Sequence, residues 1–309
     1  MDTRRAPTRR KKNRANPFGL ILLVALVIIA AAGLILFAAG YRYINTDGVK
    51  FNGFVKNGLP HHGTVKYADD LSGKLLVDDE TGICTITYSN GDVYTGGLNG
   101  IMRHGFGSIT IKETDEVYTG DFVNDKLTGT ATVTAPNGAK YEGEMVDGKK
   151  NGIGKFTFSD GSYYYGEFKD DMRNGNGEQH NADGSSYYGS FVGDKRQGTS
   201  VVTFTLMDGS TFNGKPRMVF ANGDEYVGDY FNDKRTGNGK YIWSTGAVYE
   251  GDFAGGVPHG IGTYTAKQGS TPYTGEFADG QPVVPEQPTV SVPETNTNVP
   301  MANVPVTNG

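Results

Sequence analysis

The sequence predicts an all-β chain, a single-layer antiparallel sheet of tandem hairpins with one membrane-spanning helix before it and a disordered tail after it. Three observations predict this. A Tyr-x-Gly step returns at a nearly fixed interval, Asn-Gly and Asp-Gly pairs punctuate runs of alternating apolar and polar residues, and Phe18 to Ala39 runs without a single charge. A fixed period of this length marks stacked units rather than a single folded core, and period-2 alternation marks strands.

The repeat is carried by Tyr94 and Gly96, Tyr118 and Gly120, Tyr141 and Gly143, Tyr164 and Gly166, Tyr187 and Gly189, Tyr226 and Gly228, Tyr249 and Gly251, and Tyr273 and Gly275, with Phe212-x-Gly214 between the fifth and sixth. Counting Phe212, the position numbers advance by 24, 23, 23, 23, 25, 14, 23 and 24. On this count the unit from Phe212 is cut short by losing its middle. After most Tyr-x-Gly steps come an acidic residue and an aromatic, as in Gly166-Glu167-Phe168, then a turn, then Gly-x-Gly, as at Gly152-Ile153-Gly154, then a strand rich in Thr, Phe and Tyr. Pairs such as Asn137-Gly138, Asp160-Gly161 and Asp183-Gly184 close the units and suit the positive φ angles of a type I′ turn. The Gly-x-Gly steps open no helix and precede no Gly-Lys-Ser/Thr, so they are expected to be turn glycines and not phosphate cradles.

Composition supports this picture. Of 309 residues, 46 are Gly, 18 Tyr and 16 Phe; glycine at twice the usual share without a triplet period excludes collagen, and regular aromatics argue against disorder. Cys84 is the single cysteine, so no intramolecular disulfide forms.

The segment from Met1 to Arg14 holds seven Arg or Lys and one Asp. The apolar stretch that follows exceeds a signal peptide's and suffices for a helix across about 30 Å of hydrocarbon, although Ala38, Ala39 and Gly40 leave a late cleavage open. The positive-inside rule then puts the N-terminus in the cytoplasm and the rest outside, a single-pass protein of the cell membrane. Beyond the helix, 22 basic and 33 acidic residues leave a net charge of −11, which argues against nucleic acid and an anionic bilayer as ligands. No Asn-x-Ser/Thr sequon lies outside, which favours a bacterial envelope. The expected organisation is a basic segment at 1–16, the transmembrane helix at 17–40, a short linker at 41–50, divergent repeats at 51–93, the array at 94–280 and a disordered Pro/Val/Thr/Asn-rich tail at 281–309.

The unit grammar of "YEGEMVDGKKNGIGKFTFSDGSYY" and "YVGDYFNDKRTGNGKYIWSTGAVY" resembles the MORN repeat, the membrane occupation and recognition nexus motif. The resemblance covers about residues 51–280. Gly97 and Ser190 replace the acidic residue, Leu98 replaces the aromatic, and "LTGTA" and "RQGTS" break Gly-x-Gly. It implies an elongated sheet, about 10 Å per two-stranded unit and roughly 100 Å for ten units.

Little in the chain suggests chemistry. Five histidines, His61, His62, His104, His180 and His259, make no zinc spacing. One acid per unit (Asp121, Glu144, Glu167, Asp229, Asp252 and Glu276) is too spread for an acid–base pair and is expected on a solvated face. No catalytic residue, cofactor or metal is expected, and no stretch outside the repeats is long enough for a catalytic domain. The functional expectation is therefore binding: a scaffold for a protein partner or a second copy, with a cell-wall glycan as the alternative and lipid a weaker one. Because neighbours alternate across a sheet, Tyr163, Tyr165 and Tyr188 are the expected contact residues, while the motif tyrosines form the core seam.

Overall fold

The computed structural model describes residues 17–68 and 70–283, with the side chains of 17–21 and 23 left aside; the basic segment and the tail from 284 lie outside the described residues. Helix α1 spans Pro17–Ala38, and at 1.5 Å per residue it is about 33 Å long. The described side chains of α1 stand exposed, Leu34 at 71% and Ile35 at 69%. Among the described residues, no helix is long and apolar enough to cross a membrane. The described side chains of α1, Leu22 and 24–38, fall short of a span, whereas its backbone covers the whole of Pro17–Ala38.

Two compact units follow, one of residues 1–90 and 98–102, the other of 91–97 and 103–309. In the first, β1 (Tyr41–Thr46), β2 (Val49–Lys56), β3 (Leu59–Lys66), β4 (Ser72–Val77) and β5 (Cys84–Tyr88) pair in sequence order, all antiparallel. The expected linker at 41–50 is therefore β1 and the start of β2: Tyr41 and Tyr43 alternate with polar residues and pair with Phe54 and Asn52. Phe51, Val65, Leu75 and Ile86 form the core of this unit. Burial pushes the Cys84 thiol up to about 12, which leaves it protonated and unreactive at neutral pH.

β6 (Val93–Asn99) and β7 (Met102–Thr110) carry residues of both units. The second unit continues with β8 (Val117–Val123), β9 (Lys126–Thr134), β10 (Lys140–Val146), β11 (Lys149–Thr157), β12 (Tyr163–Lys169), β13 (Met172–His180) and β14 (Ser186–Val192). Each strand from β7 to β14 pairs antiparallel with the next. Each of these repeats is thus one hairpin whose first strand begins one residue before the motif tyrosine.

Two kinds of turn alternate, and they divide differently from the sequence expectation. The type I′ signature, positive φ at both central residues, belongs to the turn inside each hairpin: Asp147 and Gly148 (φ 52° and 81°), Asp170 and Asp171 (49° and 72°), Asn232 and Asp233 (48° and 65°). The Asn-Gly and Asp-Gly pairs that close the units have positive φ only at glycine, as at Gly138 (87°) and Gly161 (85°). There, three residues separate Ala135 from Ala139, and the Ala135 N–H donates to the Ala139 carbonyl at 2.9 Å. A loop of that length takes a type I turn plus a left-handed glycine, and the Asn137 side chain accepts the Ala139 N–H at 3.0 Å. Loop length outweighs the dipeptide.

The two irregular steps on either side of Phe212 have a single cause. β14 pairs through its C-terminal half with β15 (Lys195–Gln197) and through its N-terminal half with β18 (Arg217–Val219). Between them lies a separate hairpin, β16 (Val202–Thr205) and β17 (Thr211–Gly214), which pairs only with itself. β18 then pairs with β19 (Glu225–Phe231), and Gly198 bridges to Tyr230. β15 and β18 are therefore one strand interrupted by an insertion. Without residues 199–214, Tyr187 and Tyr226 would stand one regular unit apart. The expectation of a shortened unit at Phe212 is overturned, because Phe212 is inside the insertion. Pro216 takes the place of the second glycine, and its carbonyl accepts the Gly228 N–H at 3.0 Å.

β20 (Lys234–Ile242), β21 (Val248–Ala254), β22 (Val257–Thr265) and β23 (Tyr273–Ala278) continue the array, and β24 (Gln281–Pro282) pairs with β23. Gln281 and Pro282, expected to begin the tail, thus belong to the sheet.

Candidate functional site

The motif tyrosines make the floor of one sheet face. Gly143 and Gly154 face each other across β10 and β11, and the Tyr141 ring lies over them: a Cβ on Gly154 would stand 2.5 Å from that ring. The hydroxyl then reaches the carbonyl three residues on, Tyr141 to Glu144 at 2.7 Å and Tyr164 to Glu167 at 3.0 Å. The rings of Tyr94, Tyr141, Tyr164, Tyr187, Tyr226, Tyr249 and Tyr273 meet phenylalanines or tyrosines edge to face, as Tyr164 does with Phe168 of its own unit (5.2 Å) and Phe191 of the next (5.0 Å), contacts that add about 0.5–1.5 kcal/mol each beyond burial. Burial pushes the hydroxyls of Tyr141, Tyr164, Tyr187 and Tyr226 well above the ordinary tyrosine value. At Tyr226 the neighbouring Tyr230 adds to the effect of burial. These rings are core.

Sequence reasoning missed what covers the seam. Nine residues after the motif tyrosine five units carry a basic residue, Arg103, Lys150, Arg173, Arg196 and Arg235, whereas Leu127 and Pro258 follow Tyr118 and Tyr249 at that distance. Arg103 lies 5.8 Å from the Tyr94 ring and 5.4 Å from Phe122, and Arg173 lies 5.7 Å from Tyr164 and 4.8 Å from Phe191. At Arg103, Arg173 and Arg196, a left-handed aspartate in the next hairpin turn holds the base in place. Arg173 donates its backbone N–H and its Nε to Asp194 Oδ1 at 2.9 and 3.1 Å, and Arg196 makes the same pair with Asp233 at 2.9 and 3.2 Å. The constant offset from the tyrosine was the available signal.

The motif acids are also more than a solvated face. The first glycine of Gly-x-Gly has positive φ (Gly152 at 90°, Gly175 at 118°), and the register shifts there. That leaves the next N–H without a strand partner, and the acid accepts it: Glu144 from Ile153 at 3.2 Å, Glu167 from Asn176 at 2.8 Å, Asp229 from Asn238 at 3.1 Å and Asp252 from Ile261 at 3.3 Å. These glycines are bulge residues inside strands, not turn glycines.

The register places Tyr163, Tyr165 and Tyr188 on the face opposite the seam, where Tyr163 pairs with His180 and both Tyr165 and Tyr188 pair with Glu178. All three are half-buried. The Tyr163 ring stacks on His180 at 4.6 Å and carries Lys155 Nζ 4.9 Å from its centre. The inserted hairpin covers Tyr188, whose ring stacks on Phe212 at 5.6 Å. Glu178, 4% exposed, anchors the same hairpin by accepting the Met207 N–H at 2.5 Å and also bonds His180 Nε2 at 2.8 Å. Of the expected contact residues, only Tyr163 and Tyr165 lie clear of the insertion.

Two hollows stand out. One of about 490 Å³, beside the insertion, is lined by Tyr188, Phe212, Lys215, Arg217 and Val227 among others. The other, about 230 Å³, is on the seam face between the Tyr118 and Tyr141 units. In the first unit His61 and His62 bring their Nδ1 atoms to 3.2 Å, and His61 Nε2 bonds Asp79 at 2.9 Å. Among the described residues, no three His, Cys, Asp or Glu side chains gather as a metal site.

Residues 118–140, 141–163, 164–186, 226–248 and 249–271 match the family described as MORN repeat. The chain carries five MORN repeats. Three are consecutive, two more are consecutive, and the gap between the groups holds the unit with the insertion. MORN repeat-containing protein 3 of Xenopus laevis is 41% identical over 51 residues, 16% of this chain and 21% of that one, so the chain spans about a fifth of that relative's length. Among solved structures, the SAS-4 TCP domain of Drosophila melanogaster, in complex with a proline-rich motif of Ana2, gives a TM-score of 0.30 at 16% identity, covering 74% of this chain and 98% of that one. The TCP10 domain of Danio rerio CPAP, in complex with a peptide of STIL, gives 0.34 at 13%, covering 77% and 100%. Scores this low establish no shared fold.

Proposed function

We propose that this chain is a non-enzymatic MORN-repeat scaffold, anchored in the cell membrane by α1, that holds a protein partner or a second copy on the extracytoplasmic side. One observation carries the binding reading: the motif tyrosines other than Tyr118 and Tyr273 are buried in the seam, whereas Tyr163 and Tyr165 stand half-exposed on the opposite face beside His180 and Lys155. A ring with an apolar body and a polar tip suits a contact surface. The anchor reading rests on an apolar helix whose described side chains find no cover, with seven basic residues before it to keep that end in the cytoplasm.

Photo-crosslinking probes at positions 163 and 165 in the native cell test the surface. Discrete protein adducts are expected, and adducts of the chain to itself would assign self-association. An absence of protein adducts, with the chain retained on isolated cell-wall material, would replace this reading by the glycan one, which is favoured by the larger hollow, where aromatic rings meet Arg217 and Asn213. Alkaline carbonate should leave the chain in the membrane pellet, and deletion of residues 17–38 should release it; release of the intact chain would remove the anchor.

A further inference from the structure

The hollow beside Tyr118 exists because its repeat departs from the pattern at three positions. Ala131 stands where most other units have the second glycine, and its methyl would lie 2.7 Å from a Cβ on Gly120. The Tyr118 ring therefore cannot lie across the pair: its hydroxyl donates to Glu116 Oε2 at 3.2 Å, not to the carbonyl three residues on, and the residue is half-buried where Tyr94, Tyr141, Tyr164, Tyr187, Tyr226 and Tyr249 are buried. Met145 stands where the next unit should offer an aromatic ring. Lastly, the slot nine residues after the tyrosine holds Leu127, which is buried and packs toward Gly120. The result is a space of about 230 Å³ walled by Tyr118, Tyr141, Met145 and Phe156, with Glu116 and Asp171 at its margin.

Four other units show how a motif tyrosine normally meets a cation. Arg103, Arg173, Arg196 and Arg235 each set a guanidinium within 5.8 Å of their motif tyrosine and within 6.0 Å of an aromatic in the following unit. At Tyr118 the following unit offers Met145 in place of that ring and Leu127 stands in the place of the cation, while Tyr118, Tyr141 and Phe156 supply the aromatic wall of the hollow.

We propose that the hollow beside Tyr118 receives the guanidinium of an arginine side chain presented by a basic partner polypeptide. Two carboxylates, Glu116 and Asp171, and one ammonium, Lys150, line the hollow, and Lys150 Nζ is 4.9 Å from the Phe156 ring and 5.7 Å from that of Tyr141. The balance is negative, and the same two carboxylates help burial push the Tyr118 hydroxyl up to about 12. The net −11 beyond the helix draws basic partners in the first place. Arginine is favoured over lysine because a planar guanidinium stacks on the rings while its edge still bonds a carboxylate. This site is on the face opposite Tyr163 and Tyr165, so its failure would leave the proposed contact surface standing.

The test is a fluorescence-anisotropy titration of a fluorescein-labelled tetra-arginine peptide against the full chain in non-ionic detergent at constant salt. Tetra-lysine should bind more weakly. L127R should fill the hollow from within, and A131G should let Tyr118 lie down and close it; each is expected to weaken tetra-arginine binding about tenfold or more. S200R, which adds the same charge on an exposed bend of the insertion, should change it far less. Equal losses in L127R and S200R, unchanged binding in A131G, or no binding by the parent chain would each overturn the proposal. A131G removes only a methyl group and keeps the outcome readable if L127R fails to fold.

Discussion

At the residue scale, one methyl group separates a closed unit from an open one. Gly154 lets the Tyr141 ring lie on the backbone, while Ala131 holds Tyr118 away from it. Gly154→Ala should therefore displace Tyr141 and cost about 1–3 kcal/mol, read as a lower urea midpoint; an unchanged midpoint would mean that the seam accommodates the methyl. The buried hydroxyls set a pH limit as well. Tyr249 is pushed up to about 12 by burial and by Asp252, against about 10 in an unfolded chain. The folded state holds its proton longer, so stability is fully present below about pH 10 and is lost as pH rises towards 12. Each such tyrosine contributes up to about 1.4 kcal/mol per pH unit in that window. Urea midpoints at about pH 7, 8 and 11 should be level between the first two and fall at the third.

At the scale of elements, the sequence was most legible where one residue type answers one geometric demand. Tyr-x-Gly located the first strand of each hairpin, and neighbour alternation put Tyr163 and Tyr165 on the face opposite Tyr164. Two features misled. Asn-Gly and Asp-Gly suit two turn types, and only the strand register distinguishes a two-residue loop at Asp147 and Gly148 from a three-residue loop ending at Gly138. Phe212-x-Gly214 imitates the repeat from inside an insertion, which a search for spacing cannot distinguish from a shortened unit. The seam arginines were within reach of the sequence, since their offset from the tyrosine is constant, but a basic residue beside a turn looks like solvent-facing surface until the aspartate of the next unit is placed against it. If residues 199–214 are an insertion into an otherwise complete unit, joining Gly198 directly to Lys215 should preserve the strand signal in circular dichroism and a single cooperative melt, while making Tyr188 accessible to iodination. Collapse of the melt would show that the hairpin is part of the unit's core.

At the scale of the molecule, each unit of the array touches only its neighbours, so stability should behave as a sum of units and interfaces. Hydrogen exchange should then grade along the second compact unit, fastest in β23 and β24 and slowest in the interior hairpins β10 to β13; uniform protection would point to all-or-none unfolding. Strand order has a mechanical counterpart. Because the strands from β7 to β23 succeed one another across the sheet, with β15 and β18 sharing a single place, tension applied between the two ends acts along the inter-strand hydrogen bonds and loads them a few at a time. Such an array yields like a zip, one hairpin per step. A pulling trace should show a train of small, similar force peaks, broken once where the strand interrupted at residues 199–214 releases its extra slack.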